Sequence, residues 1–493
     1  MLVGKMIRLM HSTFSLRALS FACGFGLTAL SFSQLRVATW NITNYTSGRE
    51  AAFQTAIFSA FSGRSFNTDV LVAQELKGTV GINNFLNILN SAPGQAGQWA
   101  FGTPYLTTGD TDSAMFYRKS KVDFMGLSNI TGDPRSTQRY DFRLKGYGAG
   151  STTNPEISYY SSHLKAGSDA DDELRRNTET TNIRNDAAAL PSGRHFMIGG
   201  DFNIQGSGDT SYRKLVDAST PGSGTAGRFF DPINSSFTGS GGNINWNNSS
   251  AWRFLHTQDP YGAGGMDDRF DFILNGQSFR DGKGLEYIGS QTAAYSTTTW
   301  NDPNHSYRVW GNDGTSFNTT LTTTGNTMVG ATIAQALRDS IGNSNPNNTG
   351  GHLPVFMDVK LPADLTGDKS LIDYGTVMVN TSTFQGITIK NDVDALLWGT
   401  AGVQNLNYSF SLTGTGFATP SGSFNLLAGQ SLESFIQIDT STFGFKSATL
   451  NITDNVTGQF KQVALSGTVV VPEPATYAAL ALGLGVLLRR RKK

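Results

Sequence analysis

One segment of the 493-residue chain constrains its fold and chemistry most: an apolar strand ends in two glycines and is followed by a carboxylate and an amide. The apolar stretch covers 196–198, and Gly199 and Gly200 permit close approach of another backbone or a ligand. Residues two apart in an extended chain share a face, so Asp201 and Asn203 are expected to point into one space. The alternative is an Asx turn that satisfies both side chains locally.

Similar segments recur along the chain and favour a site over an isolated turn. Each is a short apolar or alternating stretch, typical of a strand, with a polar side chain in it or beside it. Any one of these polar groups could be a solvated strand end, but the series predicts a shared site. The further members are Asn41 after 35–40, Glu75 after 70–73, His163 after 157–162, Asp271 within 269–274 and His352 before 353–359.

The chemistry of this set favours metal-assisted hydrolysis. Hard oxygen ligands are available from Asn41, Glu75, Asp201 and Asn203. Such ligands suit Mg²⁺ or Mn²⁺ better than zinc, because the set has no thiolate and only two histidines. His163 and His352 can orient or deprotonate water near neutral pH, and Asp271 can hold one imidazole in a single tautomer. This combination is suited to cleavage of a phosphate ester.

In their order, these motifs resemble the endonuclease/exonuclease/phosphatase superfamily, typified by pancreatic DNase I and the abasic-site endonucleases. The resemblance spans residues 34–360 and implies a DNase I-like four-layered α/β-sandwich. The matching segments are TWNITN at 39–44, VAQEL at 72–76, SSHLKAG at 161–167, GGDFN at 199–203, RFDFIL at 269–274 and GHLPVF at 351–356.

The resemblance also implies roles on the metal and phosphate side of the site. Glu75 would bind the metal with help from Asn41, and His163 would contact the scissile phosphate. Arg139, in the segment QRY at 138–140, lies where the family often places a phosphate-contacting arginine. These are expectations from the family pattern.

A second group of implied roles concerns the attacking water. Asp201 and Asn203 would position the water, and His352 would be a second catalytic histidine paired with Asp271.

One departure from the family pattern bears on metal dependence. The family usually has Asp directly before the last histidine, whereas this chain has Gly351. Asp267 and Asp268 could lean into the same space. Altered metal dependence and loss of activity are the alternatives that this glycine raises.

The first 33 residues indicate export. Three basic residues precede an apolar stretch at 18–30, and Ser31 and Ser33 are small residues where a signal peptidase reads the chain. We predict a secretory signal peptide over 1–33. It contains Cys23, the only cysteine, so the mature chain has no disulfide and relies on core burial.

The C-terminus indicates sorting at the cell envelope. VPEP at 471–474 precedes a mostly apolar run at 475–488 and five basic residues at 489–493. This succession resembles the PEP-CTERM sorting signal of Gram-negative bacteria. It implies processing by an exosortase, contact with the membrane through this segment before processing, and a final place in the cell envelope or on the extracellular surface. The run is short for a stable span, which needs roughly twenty residues.

Between these regions, residues 361–470 are rich in Ser, Thr and Gly and contain short alternating segments separated by turns. We predict an antiparallel, immunoglobulin-like β-sandwich, similar to bacterial Ig-like modules with LTGTGF at 412–417 and LSGTVV at 465–470. A spacer that holds the enzyme away from the membrane is the simplest role, and a ligand-binding module is the alternative.

The balance of charge limits how the mature protein can hold nucleic acid. Of the 38 basic residues, three lie in the signal peptide and five in the C-terminal tail, whereas of the 38 acidic residues only Glu473 lies outside residues 34–470. The mature chain is therefore net negative, by about seven charges. This argues against tight nonspecific binding to DNA, although a local basic groove remains compatible with it.

We therefore predict an exported, divalent-metal-dependent phosphodiester hydrolase, in first place a nuclease on extracellular DNA or RNA. A sphingomyelinase-like or other phosphoesterase activity is the alternative within the same family. A non-catalytic cell-surface or matrix protein that keeps the fold is the alternative outside it.

Overall fold

The described part of the chain covers residues 34–472 and 481–484. Within the first range, the computed structural model leaves out residues 108, 149–150, 152, 154, 219–223, 235–236, 239–241, 263 and 343–349. The predicted signal peptide and most of the predicted sorting segment lie outside the described residues.

A seven-stranded mixed sheet is built around the strand β1. It pairs in parallel with β4 on one side and antiparallel with β17 on the other. These central strands are largely buried on both faces, which explains the continuous apolar run that opens β4. The strands of this sheet are β1 (Leu35–Tyr45), β4 (Val70–Leu76), β5 (Trp99–Phe101), β6 (Asp112–Arg118), β15 (Glu286–Tyr287), β16 (Arg308–Val309) and β17 (Val355–Lys360).

A six-stranded sheet repeats this arrangement around the strand β10. It pairs in parallel with β9 and antiparallel with β14. The strands are β7 (Val122–Ile130), β8 (Thr137–Leu144), β9 (Glu156–His163), β10 (His195–Asp201), β11 (Phe229–Phe230) and β14 (Asp271–Gly276). Two short hairpins complete this half of the chain: β2 (Ala60–Phe61) with β3 (Arg64–Ser65), and β12 (Phe237–Thr238) with β13 (Gly242–Asn243).

The two sheets pack face to face, and side chains of their central strands touch. The hydroxyl of Tyr159 donates to the carbonyl oxygen of Ala38 at 3.0 Å, and the Gln74 amide donates to the Ser161 hydroxyl at 2.9 Å. One hydrophobic core therefore runs between the sheets.

Helices cover the outer faces of the two sheets. The first sheet carries α1, α2 and α5, and the second carries α3 and α4. An Asp169–Asp172 capping box and an acidic first turn define where α3 begins. The predicted four-layered α/β-sandwich is thus confirmed. The helices are α1 (Glu50–Phe58), α2 (Gly78–Ser91), α3 (Ala170–Ala188), α4 (Thr210–Val216), α5 (Gly330–Asp339) and α6 (Ala395–Trp398).

The C-terminal part of the described chain forms a β-sandwich with its own core. Its four-stranded sheet contains β18 (Leu365–Gly367), β20 (Thr383–Asn391), β22 (Phe417–Ala418) and β24 (Ser431–Ile438). Its five-stranded sheet contains β19 (Leu371–Met378), β21 (Leu406–Gly414), β23 (Ser423–Leu426), β25 (Gly444–Asp454) and β26 (Phe460–Val470). The predicted all-β sandwich is confirmed, but a purely antiparallel arrangement was wrong, because β19 pairs in parallel with β26.

The sandwich docks on the α/β part through the short helix α6. Trp398 is fully buried, donates its indole N–H to the Lys145 carbonyl at 2.8 Å and lies 4.6 Å from the Lys121 ammonium. Asp394 donates its backbone N–H to the Gly146 carbonyl at 2.7 Å. Residues beyond 360 thus contribute to the hydrophobic core of the α/β part. The boundary between the two cores therefore does not coincide with the domain boundary predicted at residue 360.

Gly200 permits the close approach of β10 and β9. A Cβ atom at this position would lie 1.8 Å from the carbonyl oxygen of Ser162, a distance that requires the backbone to move. Gly200 is therefore needed for the packing of β10 against β9, in addition to leading into the polar residues that follow it.

We expect Gly200→Ala to lower the free energy of unfolding by about 1–3 kcal/mol, because the added methyl group overpacks the contact between β9 and β10. Urea unfolding would measure the change. Gly126→Ala is the matched control, since a Cβ at Gly126 meets nothing within 4 Å. Equal stability of the two variants would contradict the packing role of Gly200.

Candidate functional site

Six of the predicted polar side chains meet at one edge of the two packed sheets of the α/β part. Parallel strands end at the same edge of a sheet, and their antiparallel neighbours begin there. Asp201, at the end of β10, therefore pairs in register with His163 at the end of β9 and with Asp271 at the start of β14. The other sheet brings its own three polar residues to this edge in the same way. They are Asn41 in β1, Glu75 in β4 and His352 just before β17.

Three of these residues form a candidate metal centre. One potential ligand atom from each of Glu75, Asp201 and His352 lies within 4.8 Å of the other two. Asn41 lies between the carboxylates, and its amide nitrogen donates to Glu75 at 2.9 Å and to Asp201 at 3.0 Å. The Asn41 oxygen accepts from the backbone of Thr43 at 3.0 Å. The sequence predicted an oxygen ligand at Asn41, but in this structure its oxygen accepts from Thr43 and its amide nitrogen orients the two carboxylates.

The electrostatics of this cluster fit a hard divalent cation. Burial raises the pKa of Asp201, and the charges of Asp271 and Glu75 raise it further, against the lowering effect of His352. Two carboxylates held this close repel each other in a low dielectric, and a cation between them would relieve that repulsion. The carboxylate oxygens of Glu75 and Asp201 match the hard ligands that Mg²⁺ and Mn²⁺ accept.

His352 forms a buried ion pair with Asp271. Its Nδ1 lies 2.7 Å from the Asp271 carboxylate, and its backbone carbonyl accepts from the Trp40 indole at 2.9 Å. Burial alone would lower the pKa of His352, but the charges of Asp271 and Asp201 outweigh burial and raise the pKa to about 10. His352 is therefore an imidazolium at neutral pH, with its Nε2 3.7 Å from Asp201.

His163 has the opposite protonation state. Burial lowers its pKa well below the ordinary value, and the positive charges of Arg135 and His352 lower it further. Its Nε2 lies 3.4 Å from an Asp201 oxygen and 4.0 Å from a Glu75 oxygen. The site thus holds one neutral and one charged imidazole, which is the arrangement that separates a proton acceptor from a proton donor.

Asn203 lies beside this cluster, although not by the strand geometry that the sequence suggested. The strand β10 ends at Asp201, and Asn203 has a left-handed backbone with φ of 53°. Its backbone N–H donates to the Asp201 carboxylate at 3.2 Å, and its amide donates to the Leu164 carbonyl at 3.3 Å. The alternation of an extended strand therefore does not apply to this pair.

The prediction that Arg139 contacts substrate is wrong for this structure. Arg139 pairs in register with Tyr160, and both side chains bond to Asp186 of α3 on the outer face of the sheet. His163 is three residues beyond Tyr160 and points to the inner face. Arg139 is also ion-paired to Asp141, so its charge is engaged away from the cluster.

Arg135 is the arginine that the fold places beside the site. Its guanidinium donates to the backbone carbonyls of His163 at 3.1 Å and Leu164 at 3.0 Å, and it pairs with Asp110 at 3.1 Å. Arg135 lies in a turn before β8, where no local sequence pattern indicates a functional residue. Only the pairing of β8 with β9 reveals its position.

Gly351, where the resemblance predicted an aspartate, has a backbone conformation that favours glycine. Gly351 has φ of +83°, and a Cβ there would lie 2.6 Å from the side chain of Ile341. A carboxylate nevertheless lies beside this segment, since a Cβ at Gly350 would be 3.2 Å from Oδ1 of Asp259. Burial raises the pKa of Asp259 to about 6, and one of its oxygens is buried without a hydrogen-bond partner in the described structure.

Asp267 and Asp268, which the sequence suggested for this space, donate their backbone N–H groups to the carbonyl of Gln258, the residue before Asp259. The charge of Asp259 acts on Asp268, and burial, followed by the charges of Asp267 and Asp259, raises the pKa of Asp268 to about 7. Asp259 was missed because it sits in a polar loop with no strand pattern around it.

Comparison with known proteins adds a sorting motif and a likeness of fold. The PEP-CTERM protein-sorting motif matches residues 470–492, which confirms the predicted sorting signal and indicates export and association with the cell surface. No curated protein sequence matches the chain.

Solved structures are similar to about two thirds of the chain. The human Nocturnin catalytic domain with bound sulfate has a TM-score of 0.36 and 13% identity, over 67% of this chain and 95% of its own. TDP2 of D. rerio, complexed with a single-strand DNA product, has a TM-score of 0.35 and 14% identity, over 66% and 99%. Beta toxin of Staphylococcus aureus has a TM-score of 0.34 and 12% identity, over 66% and 99%.

We expect Asp271→Asn to lower the pKa of His352 from about 10 to about 7–9, because it removes the nearest negative charge. Imidazole nitrogen shifts recorded against pH in the metal-free protein would measure this. His195, with a pKa lowered to about 4 by burial, is an internal control. An unchanged His352 pKa would show that the ion pair does not set the charge of this residue.

Proposed function

We propose that this protein is an exported, divalent-metal-dependent phosphodiester hydrolase that acts on nucleic acid. The convergence of Glu75, Asp201 and His352 within 4.8 Å carries this proposal. The chain would reach the cell surface through its sorting motif and be processed there by an exosortase.

Glu75 and Asp201 would hold the cation, with Asn41 fixing the orientation of both carboxylates. A bound Mg²⁺ or Mn²⁺ would supply neutralisation of charge on the phosphoryl oxygens. The Glu75 carboxylate is further fixed by the backbone N–H of Asn44 at 2.8 Å. Both ligands are thus oriented before substrate arrives, which reduces the cost of reorganisation during the reaction.

Different protein groups around the cation would act on the attacking water and on the phosphate. Asp201 and Asn203, joined by the Asn203 N–H donating to the Asp201 carboxylate, can together orient the attacking water molecule. The imidazolium of His352 can stabilise negative charge on the phosphate or donate a proton. Asp271 keeps this imidazolium in one orientation through its 2.7 Å contact with Nδ1.

A neighbouring loop supports nucleic acid as the substrate class. Its Asp110 pairs with Arg135, which in turn contacts the backbone of His163. Tyr105 and Leu106 on the same loop are exposed. An exposed aromatic ring can stack on a base, and a guanidinium can bind a phosphate in two-point fashion. Arg135 adjoins the hydrolytic cluster at His163, and Tyr105 is held by hydrogen bonds to Gln138 of β8.

The test is cleavage of plasmid DNA and single-stranded RNA by purified residues 34–472 with Mg²⁺, with Mn²⁺ and with EDTA. We expect cleavage with metal only, and a loss of about 10²–10⁴-fold in Glu75→Gln and His163→Ala. Intact nucleic acid in every reaction, or cleavage that persists in EDTA, would contradict the proposal. The next substrates would then be phospholipids and small phosphate esters.

Two arginine variants serve as a matched pair in the same assay. Arg135→Ala removes the cation beside His163 and should reduce cleavage, whereas Arg139→Ala changes an arginine on the outer face and should retain most of it. The melting temperature of each variant would separate loss of activity from loss of folding.

A further inference from the structure

The chain leaves the sandwich at the end that is remote from the α/β part. The strand β26 begins beside the linker between the two parts, where the Gln459 amide donates to the Ala363 carbonyl at 2.9 Å. From there β26 runs through 11 residues to Val470, which spans about 37 Å at about 3.4 Å per residue. The exit point is therefore separated from the docking contacts by the length of the sandwich.

Apolar side chains are exposed at this exit. Met378 pairs in register with Val470, and Gly444 pairs with Val469, so three strand ends meet there. The exposed residues form what we call the apolar tip, in which Phe443 is 75% and Phe445 71% exposed. The members of the tip are Met378, Phe443, Phe445 and Val471.

The polar surroundings of the apolar tip are almost uncharged. The adjacent loops at 379–382 and 440–442 contain valine, asparagine, threonine and serine. The nearest described charges are Asp439 and Lys446, which pair with each other at 3.3 Å. Hydroxyl and amide groups around exposed aromatic rings suit the headgroup level of a bilayer.

The chain beyond the tip leads directly to an apolar segment. The sorting motif matches residues 470–492 and so includes Val471 of the tip. The apolar run begins at Ala475, and four residues reach at most about 14 Å. Among the described residues no helix has the length and hydrophobicity to cross a membrane.

We propose that the apolar tip rests on a lipid membrane surface, with Phe443 and Phe445 inserted at the boundary between headgroups and acyl chains. When the apolar run holds the chain at the bilayer, the short connection keeps the tip against the same surface. The apolar side chains of the tip are then removed from water. A membrane contact of this kind explains why they are exposed in the isolated protein. The α/β part is held outward by the sandwich. This contact does not depend on the chemistry of the catalytic site.

Site-specific fluorescence can test the contact, because Cys23 lies in the predicted signal peptide and the mature chain has no other cysteine. Residues 34–493 carrying Phe443→Cys, labelled with an environment-sensitive dye, would be reconstituted in vesicles of phosphatidylethanolamine and phosphatidylglycerol. Phe435→Cys is the matched control, since Phe435 is 55% exposed on the other sheet of the sandwich. We expect loss of dye emission with acyl-brominated lipid at position 443 and none at position 435.

Three outcomes would overturn the proposal. Equal or absent quenching at the two positions would show that the tip does not enter the lipid. Protection of the dye at 443 from aqueous iodide before vesicles are added, without later quenching by lipid, would show that the chain's own apolar run covers the tip. Dye self-quenching that disappears on dilution with unlabelled protein would show that a second copy covers it.

Discussion

Asn41 holds a half-buried and a buried carboxylate together, and the candidate site depends on this shared donor. Its amide nitrogen lies 2.9 Å from Glu75 and 3.0 Å from Asp201, so one side chain links residues from different sheets. Without a positive or donating partner, the two carboxylates would repel each other strongly in this buried place. The face-to-face packing of the sheets brings the residues close, and the amide sets their orientation.

The same packing of the sheets also sets the protonation states of the two histidines beside these carboxylates. His352 is close to Asp271 and Asp201 and is charged, whereas His163 is close to Arg135 and His352 and is neutral. The difference between the two histidines therefore arises from neighbours that the fold supplies and not from the residues themselves. Such opposed protonation states are common where an enzyme needs both an acid and a base.

The family resemblance predicted the four-layered fold, whereas strand periodicity and polar residues at strand ends predicted most of the cluster. Asp201 and His163 were found in this way, since each ends an apolar strand of the same sheet. Arg135 and Asp259 were missed because both lie in loops, whose positions are set by tertiary pairing. Arg139 was misjudged for a related reason: its face of the sheet is defined by register with Tyr160, which the sequence does not show.

The central claim is that Glu75 and Asp201 together bind one divalent cation beside the imidazolium of His352, and a titration with Mn²⁺ followed by electron paramagnetic resonance tests it most directly. For residues 34–472 we expect one bound Mn²⁺ that Mg²⁺ displaces, with affinity reduced at least about tenfold in Asp201→Asn, which keeps the side-chain shape but removes its charge. Unchanged affinity in that variant, or no bound Mn²⁺ in the unaltered protein, would contradict the claim.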